Sequence, residues 1–217
     1  PVSLFHKGGW LNPDSPKWFE EYTQVIVDRY SDRVKNWFTL NEPACFVGLG
    51  HQAGTHAPGL HLPDREVSIV WHHALLAHGR AVRIIRESSV SPDPKVGFAP
   101  CFRTTIPASA SEADIEAARS QMFTIQSKNV FEATWNLDPC MRGRYPEDGL
   151  DIWGEDAPVY ADGDLELIQQ ELDFIGLNIY QSTTVRAGKD GLPEVVPYSS
   201  DHPRTAINWP VTPDALR

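Results

Sequence analysis

No apolar run in these 217 residues is long enough to cross a membrane. The opening PVSLFHKGG also lacks the basic stretch followed by a long apolar one that marks a secretory leader. It has no initiator Met, so the chain is expected to begin inside a gene product. Positive charge is scarce: 19 Lys and Arg stand against 29 Asp and Glu, a formal net charge of −10. Nucleic acid and an anionic membrane surface both need a basic face, so neither is expected as a partner; a neutral substrate fits. Cysteine is scarce too. Cys45, Cys101 and Cys140 are the only three, with no CxxC spacing. They read as reduced thiols in a cytoplasmic protein rather than a disulfide framework or a zinc site. No GxGxxG or Walker-type glycine loop follows any apolar run, which lowers a nucleotide-binding reading. Internal repeats and low-complexity linkers are absent as well.

What is present is an alternation of elements. Four short apolar runs occupy residues 1–5 (PVSLF), 35–40 (KNWFTL), 95–99 (KVGFA) and 173–180 (DFIGLNIY). The last three are near-continuous, as in parallel strands covered on both faces. Between the first two, Trp18, Phe19, Tyr22, Val25, Ile26 and Tyr30 recur at helical spacing. Asp14 or Ser15 serves as N-cap there, with Pro16 in the first turn. Val67, Trp71, Ala74, Leu75, His78, Val82 and Ile85 form a second stripe, and Ile115, Ala118, Met122 and Ile125 a weaker third. Residues 165–172 suit a short helix. From Ser182 onward the chain is turn-like, with a hairpin expected around residues 188–193. The order β-α-β-α-β-α-β with right-handed crossovers predicts a parallel sheet with helices outside. Half of a TIM barrel and part of an open doubly wound sheet both satisfy it.

The second run ends as WFTLNEPACF, with Glu42 between Asn41 and Pro43. Active sites of TIM barrels lie at the C-terminal ends of the strands. Pro43 is expected to hold Glu42 extended and to end the strand. Successive strand residues point to opposite faces. Asn41 and Glu42 can therefore share a pocket only if the strand is irregular at its end, and such an irregularity is predicted. A carboxyl group walled by aromatics and near a second negative charge can hold a proton near neutral pH and donate it. The plainer reading is a Glu that caps a loop or pairs with a rim Arg.

Around Thr39–Pro43 (TLNEP) the chain resembles the family-1 glycoside hydrolases, the β-glucosidase family. GGWLNPDSPKWFEEY (8–22), YSDRV (30–34), GLGHQAGTHAPG (48–59), ALLAHGRAV (74–82), RGRYP (142–146) and DFIGLNIY (173–180) resemble the family in the same order. The resemblance implies an α/β fold, part of a (β/α)8 TIM barrel carrying strands three to six of eight, with residues 1–217 as one incomplete barrel domain. It implies a retaining glycosidase acting on β-linked glucosides or cello-oligosaccharides, with no cofactor. Glu42 matches the general acid/base and Asn41 the amide that binds the sugar 2-hydroxyl. His6 matches a histidine on a glycone hydroxyl, Tyr180 the tyrosine that bonds the nucleophile, and Asn178 a neighbour lining the site. Trp135 and Asp138 match a structural motif. No metal site is expected: His72 and His73 are adjacent, and His51, His56 and His61 are spaced by five rather than the four of a helical metal pair.

The chain departs from the family pattern in three places. His6 runs directly into Lys7 and Gly8, without the Trp-Asp-x-Pro-type stretch expected there. Ala44 stands where many members carry an aglycone-stacking tryptophan. The family's nucleophile motif, T-E-N-G-like, does not occur, and residues 207–217 (INWPVTPDALR) resemble the segment shortly upstream of it. The isolated chain is therefore expected not to turn over. Its open barrel edges are expected to favour association. The rival readings are a 6-phospho-β-glucosidase and a non-catalytic relative that binds sugar or protein.

Overall fold

Strand β1 (Asn36–Asn41) lies at the edge of a three-stranded parallel sheet. It pairs with β2 (Lys95–Ala99), which pairs in turn with a short β4 (Phe174–Ile175). The structure is a computed structural model and describes residues 1–216; Arg217, the last residue of the segment compared with the family above, lies outside them. In the register, Trp37 faces Val96, Phe38 faces Gly97, and Gly97 faces Phe174. A second sheet continues the same two chains. β3 (Thr104–Pro107) follows β2, and β5 (Ser182–Ala187) follows β4; the two pair in parallel. A lone parallel bridge, Cys101 to Asn178, links the two stretches. The strand pair β2/β4 thus breaks and resumes as β3/β5, and the break lies beside the end of β1. β6 (Pro193–Val196) turns back antiparallel on β5 through a hairpin closed by Gly188 N–H to the Leu192 carbonyl, where the hairpin was expected.

The first apolar run does not form a strand. Val2–Phe5 is a four-residue helix, α1. None of its residues is fully buried. α2 (Ser15–Tyr30) fills the first predicted helix. Asp14 precedes it without a side-chain cap, and Pro16 sits in the first turn, where its missing N–H is harmless. α3 (Asp64–Ser88) is the second stripe, and buries Val67, Val70, Trp71, Ala74, Leu75, His78, Val82 and Ile85. Asp64 and Glu66 in its first turn suit the positive end of the helix dipole. At its other end Arg86 bonds the Pro94 and Glu171 carbonyls and Asp173 Oδ2 (2.7 Å), tying the helix to the starts of β2 and β4. The Asp173 carboxyl is held below the usual range, chiefly by the Val96 N–H it accepts.

α4 (Glu112–Phe123) is the weak third stripe, capped by Ser111 Oγ, which accepts the Asp114 N–H. α5 (Ala133–Arg142) and α6 (Glu147–Trp153) were not legible as helices; they bury Trp135 against Trp153, stacked at 5.2 Å. α7 (Asp164–Ile168) is shorter than the stretch expected to be helical. It packs so closely on α3 that any Cβ at Gly79 would meet the Leu167 carbonyl.

The helices cover one side of the sheet. Trp37, Leu40, Val96 and Phe98 are buried beneath α2 and α3, in clusters centred on Trp71, Leu75 and Ile85. The other side is open: Phe38 is 53% exposed, and Ile175, Leu177 and Tyr180 are exposed as well. On β1, Trp37 and Leu40 are buried while Phe38 lies on the open side.

Candidate active site

β1 ends at Asn41, and its register with β2 shifts between Phe38 and Asn41. Glu42 then takes φ 47°, the left-handed region that bulky residues avoid. The predicted irregularity is present, but its form is not the extended geometry expected before Pro43. Such a conformation costs on the order of 1–3 kcal/mol and is found where the surrounding structure demands it. The demand is visible. Glu42 N–H still donates to the Ala99 carbonyl on β2 (2.8 Å), while the chain behind it turns into the π-helical stretch Cys45–Gln52. One left-handed residue breaks the strand alternation, so the Asn41 and Glu42 side chains reach the same neighbour.

That neighbour is Asn178, from beyond β4. Its Nδ2 donates to Asn41 Oδ1 (2.8 Å) and to Glu42 Oε1 (2.8 Å). The Tyr180 hydroxyl donates to the same Oε1 at 3.3 Å. The carboxylate beside Tyr180 pushes its phenol above the ordinary value. Glu42 Oε2 accepts from the Cys45 thiol at 3.1 Å. Four of the five residues proposed from sequence therefore meet: Glu42, Asn41, Asn178 and Tyr180. His6 does not. It follows α1 rather than a strand, is exposed, and its ring makes an edge contact with Phe5.

Glu42 opens onto a hollow of about 400 Å³ lined by Asn41, Glu42, Cys45, Phe46, His56 and Ala57. Phe46 stacks on Trp10 (5.2 Å), which gives the hollow an aromatic side. His56 and Phe46 were not singled out as site residues from the sequence. The usable signal was weak: Phe46 stands four residues after Glu42 on a helical turn, and His56 lies in a loop whose path back to Glu42 the sequence does not reveal. Cys45 and Cys101 were read only as reduced thiols, and they are free. Burial and the Glu42 contact push Cys45 up to about 11, and burial pushes Cys101 higher still.

Other side chains considered in the sequence have structural roles. His72 bonds the Tyr145 hydroxyl and Asp164, while His73 turns to the Trp10 carbonyl, so the adjacent pair diverges as expected. A larger cleft, lined in part by Arg119, Asp138 and Arg142, lies elsewhere and holds none of the site residues.

A carboxyl group held by three donors, an amide beside it and an open hollow can bind a hydroxylated ligand and pass a proton to it. The model of glycosyl hydrolase family 1 matches residues 1–217. Beta-glucosidase A of Thermotoga maritima is 37% identical over 219 residues, covering 100% of this chain and 46% of that protein. Beta-glucosidase A of Acetivibrio thermocellus is 36% identical over 222 residues, covering 100% of this chain and 47% of that protein. Among solved structures, the Thermotoga maritima beta-glucosidase in complex with glucoimidazole superposes with a TM-score of 0.77 at 37% identity, over 98% of this chain and 46% of that one. The virulence factor SghA from Agrobacterium tumefaciens gives 0.79 at 32% identity, over 100% of this chain and 47% of that one. The chain spans about half the length of the curated relatives it matches.

Proposed function

The chain belongs to glycosyl hydrolase family 1, and from that premise we propose that it carries the proton-donor half of a retaining β-glucosidase site. The fold is accordingly a partial (β/α)8 barrel, matching slightly under half of its structural neighbours. Glu42 is the general acid/base. The observation that carries this reading is its placement: one strand end, held on Oε1 by Asn178 and Tyr180 and facing an open hollow. Asn41, fixed by the same Asn178 amide, offers donor and acceptor to a sugar hydroxyl beside the scissile bond.

Retaining glycosidases place two carboxyl groups ~5–5.5 Å apart. One attacks the anomeric carbon while the other protonates the departing oxygen; the second then takes the proton of the incoming water. In this chain Glu42 gives and takes that proton. The attacking carboxylate would come from chain outside these 217 residues, across the open side of the sheet. A Tyr180 hydroxyl within reach of Glu42 would lie between the two groups. No cofactor is needed for either step. The substrates proposed are β-linked glucosides and short β-glucans. The support is relatives named beta-glucosidase and 1,4-beta-D-glucan glucohydrolase, and the SghA complex with its substrate analog salicin.

The test uses the gene product that carries this segment. Glu42→Gln should lower turnover of an alkyl β-glucoside by roughly 10²–10⁴-fold, the usual worth of a positioned acid/base. Loss should be much smaller for an aryl glycoside whose leaving group departs without a proton. Equal losses on both substrates would show that Glu42 is not the proton donor. The 217-residue chain alone should release no product from either.

A further inference from the structure

Glu42 has a second face. Its Oε1 is occupied by Asn178 and Tyr180, but its Oε2 turns toward sulfur: the Cys45 thiol lies 3.1 Å away. Cys45 Sγ in turn lies 3.8 Å from Cys101 Sγ. One carboxylate oxygen and two sulfurs all fall within 4.8 Å of one another. Two thiolates bound tetrahedrally to zinc, each at ~2.3 Å, stand about 3.8 Å apart. The sulfur pair already has that spacing.

We propose that Glu42 Oε2, Cys45 Sγ and Cys101 Sγ form a three-ligand site for a thiophilic divalent cation of the zinc or cadmium type. A fourth position faces the hollow and takes water. Three protein ligands with one open position is the arrangement of an accessible rather than a sealed zinc site. The ligands sit on fixed backbone: Cys45 opens the π-helical stretch, Cys101 is bridged to Asn178, and Glu42 N–H donates to the Ala99 carbonyl on β2. Asn178 and Tyr180 act as the outer contacts that orient the carboxylate, as hydrogen-bonded partners do around bound metals.

Binding exchanges two thiol protons for two metal–sulfur bonds, and both protons leave to solvent. The competing fate of the pair is a disulfide. That bond requires the sulfurs to close to ~2.05 Å and needs a thiolate to begin. A cation instead displaces the thiol protons as it binds and leaves the sulfurs at their present spacing. The binding claim stands on the three ligand atoms alone. Only its consequence, that a metal-bound Glu42 can no longer carry a proton, rests on the glycosidase reading.

The test is a cadmium titration of the reduced chain, read by the thiolate-to-cadmium charge-transfer absorption. The band should saturate at one equivalent, and zinc should compete it away. Cys45→Ser and Cys101→Ser should each weaken binding by more than ~10-fold, since even outer-shell changes cost that much. Cys140→Ala, which removes a buried thiol elsewhere, should leave it unchanged. A wild-type chain with Cys45 and Cys101 confirmed reduced and no band would overturn the proposal. So would a band that survives in the Cys45→Ser/Cys101→Ser double variant. Because the readout is absorption, failure here is separable from any failure of Glu42 in turnover.

Discussion

Trp37 and Phe38 are neighbours on β1, and their surroundings differ completely. Trp37 points under α2 and α3 into a cluster with Val27, Val82, Ile85 and Val96, and is 9% exposed. Phe38 points the other way, is 53% exposed, and has Phe174 edge-on at 5.0 Å as its aromatic contact. The same division runs through the molecule. Beneath the helices lie Trp71, Trp135 and Trp153, fully buried; across the sheet lie Phe38, Ile175, Leu177 and Tyr180 in the open. The helical side holds the buried core, and the open side carries Tyr180 of the proposed site.

The sharpest way to break this contrast is to truncate each neighbour in turn. Trp37→Ala should lower the unfolding free energy by about 3–5 kcal/mol, the cost of emptying a large aromatic site in a packed core. Phe38→Ala should lose about 1 kcal/mol or less, the worth of one exposed aromatic contact. Urea midpoints measure both. Equal losses would mean that the open side is covered in solution, as association through the barrel edges would do. Sedimentation of the chain would then show a species larger than a monomer.

The second test uses His78, deep on the helical side. It is fully buried on α3 against Phe98, and its Nδ1 shares a 2.6 Å hydrogen bond with Thr39 Oγ1. Nε2 has no partner. Burial lowers its pKa from 6.5 to about 4. Because the folded value lies below the unfolded one, the unfolded chain takes up the proton first as pH falls. Stability from this group is therefore intact above about 6.5, declines toward pH 4, and falls no further below that. The total loss is on the order of 3 kcal/mol. His78→Gln should remove this part of the pH dependence. An unchanged acid limb in that variant would assign the loss to other groups.

The two sides were also unequally legible in sequence. The helical stripes of α2 and α3 repeat over four turns or more, and their periodicity survives any error at the ends. α5 and α6 are short, and Pro139 lies inside α5, so local pattern gives little to read. PVSLF looked like a strand because five residues of apolar sequence carry no period; its helical form is set by Pro1 and the turn after it. β3 and β5 escaped notice because Thr and Ser dominate them. At the site, a strand end followed by Glu-Pro was visible, but the left-handed turn of Glu42 was not, since Pro43 favours the opposite. Asn178 meets Glu42 across 136 positions, and Cys101 meets Cys45 across 56. Pairings at such separation are decided by tertiary packing, and only the family pattern suggested the first of them.

The smallest effects should come from the open side's own polar contacts. Asn178→Ala removes one amide that serves both Asn41 and Glu42, and should cost about 1 kcal/mol. Tyr180→Phe removes a 3.3 Å bond from a side chain that is 61% exposed, and should change stability by less than about 0.5 kcal/mol. If instead Tyr180→Phe destabilised the chain as much as Asn178→Ala, the phenol would be part of the packing that holds β4 in place. The division between a stabilising helical side and a chemical open side would then fail at its most exposed member. A near-zero effect on stability, with loss of the Tyr180 contribution in turnover by the gene product, would place Tyr180 on the chemical side alone.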